Sequence, residues 1–79
     1  MDNTPNTTRF EHWAGNGELY EAHATRHDDG WKCTLHHIDA RARLRGAPYL
    51  EEIDSLHVDG TLEDAELACR TRIEQIASQ

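Results

Sequence analysis

Between Leu19 and Ile38 apolar residues recur at every second position on both sides of one tight turn, a pattern that few folds accommodate. Tyr20, Ala22 and Ala24 alternate with Glu21, His23 and Thr25, and Trp31, Cys33 and Leu35 alternate with Lys32, Thr34 and His36. A period of two marks strands with one buried face, because successive side chains leave a strand on opposite sides. Asp28-Asp29-Gly30 supplies the turn. Matching apolar positions across it sets Ala24 opposite Cys33, Ala22 opposite Leu35 and Tyr20 opposite His37 on the core side. A three-residue turn with a glycine bulge would shift this register by one and spoil the match, so a loop of two or four residues is expected.

The other strong signal closes the chain. Thr61 suits a helix N-cap, Asp64 completes a capping-box pattern, and Glu63, Asp64 and Glu66 place negative charge at the positive end of the helix dipole. At 100° per residue, Leu62, Ala65, Cys69, Ile73, Ile76 and Ala77 share one sector, a stripe suited to lie across a sheet. The prediction is an α+β fold: an antiparallel meander of about three strands with one C-terminal amphipathic helix packed on one face. Residues 1–8, polar and aperiodic, read as a disordered tail, and residues 9–79 as one domain.

Elsewhere the pattern is weaker. Phe10 and Trp13 bring aromatic surface that either pairs as a short strand or folds over a sheet edge, ahead of a turn at Gly15-Asn16-Gly17. Arg41, Arg43 and Arg45 alternate with Ala42 and Leu44, as an exposed strand extension would, up to the break at Gly46-Ala47-Pro48. Ile53 to Val58 reads as a third strand with Leu56 and Val58 inward. The alternative is a short helix with Pro48 in its first turn and Leu50, Ile53 and Leu56 on one side. The strand is preferred, because twenty residues without regular structure are unusual in so compact a domain.

A 79-residue chain buries only about 60–65% of its unfolded surface, which leaves little room for an enclosed reaction centre. No apolar run approaches the roughly 18 residues of a membrane span, and the start lacks the layout of a secretory signal, so a cytoplasmic address is expected. Cys33 and Cys69 lack C-x-x-C spacing and read as buried reduced thiols. There is no G-x-S-x-G, phosphate loop or H-E-x-x-H, and the carboxylate pairs Glu51-Glu52 and Glu63-Asp64 fall where solvated faces are expected. The chain is therefore expected not to be an enzyme, and no cofactor is expected.

The formal charge of −7 opposes phosphate backbones and argues against direct nucleic-acid binding. Seven acids (Glu51, Glu52, Asp54, Asp59, Glu63, Asp64 and Glu66) occur between Glu51 and Glu66 with no Lys or Arg among them. This favours a basic protein partner. The expected function is a non-enzymatic protein-interaction module, with Trp13, Tyr49, Glu51, Glu52, Asp54 and Glu63 as candidate binding residues. Self-association through the polar sheet face (Glu21, His23, Thr25, Lys32, Thr34, His36) or through a free edge is a further route. Six histidines raise an alternative: a metal or small-ligand site using His23 and His36 on neighbouring strands. Zinc needs three or four donors converging at about 2.0–2.3 Å, and the register puts His23, His27 and His36 on the solvent face but Cys33 and His37 on the core face.

Asp29-Gly30-Trp31 opening the second strand, and Asp59-Gly60-Thr61-Leu62-Glu63-Asp64-Ala65-Glu66 opening the helix, resemble the β-β-β-α pattern of HicB-type antitoxin N-terminal domains and of small bacterial proteins of that shape. The likeness spans about Glu18 to Ala77. It implies a fold similar to a double-stranded-RNA-binding domain lacking its first helix, and a habit of binding another protein, as an antitoxin-like or inhibitor-like regulator would. The chain departs from the pattern after the second strand, where Ile38-Asp39-Ala40-Arg41 stands in place of the usual proline-glycine step. With the helix followed directly by Gln79, an operator-binding module is not expected.

Overall fold

A computed structural model describes residues 6–79. Four strands, β1 (Thr7–Trp13), β2 (Leu19–His27), β3 (Gly30–Ile38) and β4 (Leu50–Asp59), form one antiparallel sheet in the order β1-β2-β3-β4. A short helix, α1 (Ala40–Leu44), lies between β3 and β4, and α2 (Leu62–Ala77) follows β4. The α+β class is as expected, but the sheet has four strands rather than about three.

The additional strand is β1. Its Thr8, Phe10 and His12 stand opposite Ala24, Ala22 and Tyr20, and Phe10 packs against the core beside the small alanines of β2. Thr7 and Thr8, read from sequence as the end of a tail, belong to this strand, while residues 1–5 lie outside the described residues.

The β2–β3 register matches the hydrophobic pattern: Ala24 pairs with Cys33, Ala22 with Leu35 and Tyr20 with His37. The loop holds two residues, Asp28 and Asp29, and Asp28 takes the positive φ of 55° that such a tight reversal needs. Gly30 lies outside the turn as the first residue of β3, opposite Asp59 of β4. A β-carbon there would collide with the Val58 carbonyl oxygen and stand 3.0 Å from the Asp59 Cα.

The Arg41–Arg45 stretch is a helix, not an extension of β3. Asp39 caps it, its carboxylate accepting from the Arg41 and Ala42 backbone N–H groups at 3.1 Å each. Two orphan donors of a first turn are thereby satisfied, which outweighs the weak alternation of the arginines. Gly46 follows the helix at φ 72°. The segment beyond is β4, a strand as preferred, though it starts earlier, at Leu50. Leu35 pairs with Asp54 and His36 with Glu52, so Ile53 is the extra residue of a β-bulge.

Helix α2 follows the expected stripe. Ala65, Cys69 and Ile73 are fully buried and Leu62, Ile76 and Ala77 pack at the margin. The capping box is complete, with the Asp64 N–H donating to Thr61 Oγ1 at 3.2 Å and the Thr61 N–H to Asp64 Oδ2 at 2.9 Å. Together with Tyr20, Ala22, Ala24, Trp31, Cys33 and Leu35 the stripe forms the core between sheet and helix. Burial raises both thiols, Cys69 to about 12, with each Cys beside the other. Both are thereby held as neutral thiols at neutral pH. No helix among the described residues is long and apolar enough to cross a membrane.

Candidate protein-binding surface

The sheet has one face under α2 and one turned away from it, and residues paired across strands share a face. On the turned-away face the strands are crossed by rows. Trp13 and Leu19 pair, as do Ile38 and Leu50, which makes an apolar end row. Ile38 is buried at 2% exposure although α2 lies on the other side. The cover is α1, whose Ala42 is buried and whose Arg43 reaches over the sheet to Glu11, Nη1 donating to Oε1 at 2.9 Å. Next comes an acidic row with Glu11 opposite Glu21, and His36 between Glu21 and Glu52. Beyond it lie Arg9 opposite His23, and Lys32 opposite His57.

Strand β4 ends the sheet, so its outer ladder groups have no neighbouring strand among the described residues. Glu51, Glu52 and Asp59 are exposed along it, and Glu63 is exposed in the first turn of α2. These acids stand at the two ends of the edge, Glu51 and Glu52 where β4 begins and Asp59, bonded to His57, and Glu63 where it passes into α2. Asp54, grouped with them from sequence, has a different place: it is half-buried, Oδ2 accepting from Arg72 Nε at 2.6 Å and Oδ1 from the Ser55 N–H at 2.9 Å. It joins β4 to α2 and covers one backbone donor of the edge. Trp13 is 70% exposed. Tyr49 is half-buried beneath the Arg43 guanidinium, 5.2 Å from its ring centre.

His23 and His36 are brought together, their ring centres 4.3 Å apart. Each already has a partner in Glu21: His23 Nε2–H donates to the carboxylate at 2.7 Å and His36 Nδ1–H to the backbone carbonyl at 3.3 Å. Among the described residues no group of three or more His, Cys, Asp or Glu is arranged to hold a metal ion. At the far end of this face a shallow, open cleft of about 470 Å³ is lined by His27, Lys32, Ser55, Leu56 and His57.

Sequence reasoning missed a second tie between sheet and helix. His12 Nε2–H donates to Glu74 Oε2 at 2.6 Å, the Gly15 N–H donates to Glu74 Oε1 at 2.9 Å, and Arg70 Nη1 donates to His12 Nδ1 at 3.2 Å. The Arg70 guanidinium also lies 4.9 Å from the Phe10 ring centre. These partners stand 58 to 62 residues apart, and nothing local in the sequence links them.

Three carboxyls are held below their ordinary range: Glu74 by the Gly15 N–H and then His12, Asp54 by Arg72 and then the Ser55 N–H, and Asp64 by the Thr61 backbone N–H and then its hydroxyl. A carboxyl more acidic in the folded than in the unfolded chain stabilises the fold above the unfolded value, and that stabilisation is lost as pH falls through the folded values. The thermal midpoint is therefore expected to hold above about pH 5 and to fall progressively toward about pH 2. In circular-dichroism melts, Glu74→Gln should start lower at neutral pH and show a shallower acid decline. A midpoint independent of pH across that window would contradict these assignments.

Comparisons of this chain with protein-family models, with curated proteins and with solved structures found no match, and the likeness to HicB-type domains rests on the two motifs quoted above.

Proposed function

We propose that this protein is a non-enzymatic interaction module that receives an extended, basic segment of another protein along β4. The observation that carries the reading is the coincidence of an open sheet edge with an acidic border. Glu51, Glu52, Asp59 and Glu63 are exposed along or beside a strand with no outer neighbour among the described residues, and no Lys or Arg occurs from Gly46 to Cys69. Main-chain ladder bonds would supply the affinity of an added strand, and alternating Lys or Arg side chains would meet the carboxylates. Pairing of two β4 edges is disfavoured by the same acids, since like charges directly opposite destabilise a strand pair. A regulator that occupies a basic surface, as an antitoxin or inhibitor does, fits this arrangement.

The test is fluorescence anisotropy with a labelled peptide of alternating Lys and Thr at low salt. Binding should weaken as salt rises, and Glu51→Lys with Glu52→Lys should weaken it about tenfold, the size expected for reversing two exposed charges. An alternating Glu-Thr peptide that binds equally well, or a double variant that binds unchanged, would refute the reading. A second reading, a metal held by His23 and His36, draws support from their ring contact alone. Zinc-induced NMR shifts confined to these two histidines at low-micromolar concentration would favour it.

A further inference from the structure

We propose that a second copy of this chain packs on the sheet face turned away from α2, with its strands reversed, in a two-fold dimer. The argument is the order of charge along the strands. At one end stands α1, whose Arg41 and Arg45 are exposed while Arg43 turns to Glu11. The acidic row follows, with Glu52 exposed, Glu21 bonded to His23 and Glu11 to Arg43, so its negative charge is centred on Glu52. Next are Arg9 and Lys32 with the neutral Thr34 and Ser55. The hairpin end carries Asp28, Asp29 and Asp59, all exposed.

The bands thus run positive, negative, positive, negative. An even number of alternating bands is complementary to its own reversal: laid head to tail on itself, each band meets its opposite. A two-fold axis between the sheets and across the strands does this, and it makes the contact isologous, so the assembly closes at two. Shape agrees with charge. Helix α1 rises from the sheet at one end only, so reversal sets each α1 past the hairpin end of the other copy, with Arg41 and Arg45 beside Asp28 and Asp29. Four strands at ordinary spacing, less the end row that α1 covers, offer about 400 Å² per copy, so the pair falls somewhat short of the roughly 1,000 Å² of specific, stable interfaces. A weak, salt-sensitive dimer follows. The outer ladder groups of β4 take no part; Glu52 and Asp59 serve both readings, but the sedimentation test contains no peptide, so this proposal stands or falls separately from the strand-addition reading.

Sedimentation equilibrium of the full chain at low salt, up to about 1 mM, tests it with two charge-reversed variants. One carries Arg41→Glu and Arg45→Glu, the other Asp29→Lys and Asp59→Lys, all at exposed positions. The wild type should dimerise and dissociate as salt rises. Each variant alone should associate at least about tenfold more weakly, and an equimolar mixture should recover a heterodimer, because opposite charges then meet at both ends. A wild type monomeric throughout, variants that dimerise as well as it does, or a mixture that fails to recover would each overturn the proposal. Should a variant not fold, concentration-dependent amide shifts of the wild type decide. Shifts at Thr25, Lys32 and Thr34 support the dimer, and shifts at Leu67 on the outer side of α2, or none, refute it.

Discussion

Ile73→Ala is expected to remove a third or more of the stability of this protein. Ile73 is fully buried in the middle of the α2 stripe, in one cluster with Trp31, Leu35 and Cys69. Truncating such a side chain forfeits its transfer free energy and leaves a cavity that a two-layer domain closes only in part, a cost of about 2–5 kcal/mol. A chain of this length has only about 4–12 kcal/mol in total. Urea unfolding followed by Trp31 fluorescence should show the midpoint falling by a third or more, roughly in that proportion. Leu67→Ala on the same helix is the control: Leu67 is 68% exposed, and its loss should fall within about 0.5 kcal/mol. Equal effects of the two substitutions would mean that α2 docks by another face.

Gly30→Ala should be the most damaging single methyl in the sheet. The added carbon would meet the Val58 carbonyl oxygen and the Asp59 Cα, both backbone, so no side-chain rotation relieves the contact and β4 must move away from β3. A cost of about 1–3 kcal/mol is expected. It should come with faster hydrogen exchange at Trp31 and Val58, which stand opposite each other beside the site. Gly15→Ala gives the comparison, because its new carbon would stand at an ordinary 3.4 Å from Glu74 Oε1. If Gly30→Ala proves as benign as Gly15→Ala, the close approach of the two strands at that end is wrong.

The contrast between these glycines shows what could be read in the chain. Asp29-Gly30-Trp31 was legible as a hairpin, and the apolar alternation set its register, because both signals are local. The reason for Gly30 was not legible, since it lies in a strand that returns some thirty residues later. β1 was obscured for a related reason: of its three core-side residues only Phe10 is apolar, and His12 is accommodated by Glu74 and Arg70 from the far end of the sequence. In α1 the Arg-Ala-Arg-Leu-Arg alternation imitates a strand, while the decisive residue, Asp39, lies just before it. The acids of β4 were evident from composition, but the withdrawal of Asp54 into a bond with Arg72 depends on packing that no spacing rule encodes.

The bulge at Ile53 bears on polymerisation. A long, regular outer strand would template growth without limit, each molecule adding to the last as in a fibril. Here the ladder loses step at Ile53, Asp54 occupies the Ser55 N–H, and carboxylates repel an identical neighbour. Such a border offers nothing on which a chain of copies could be built.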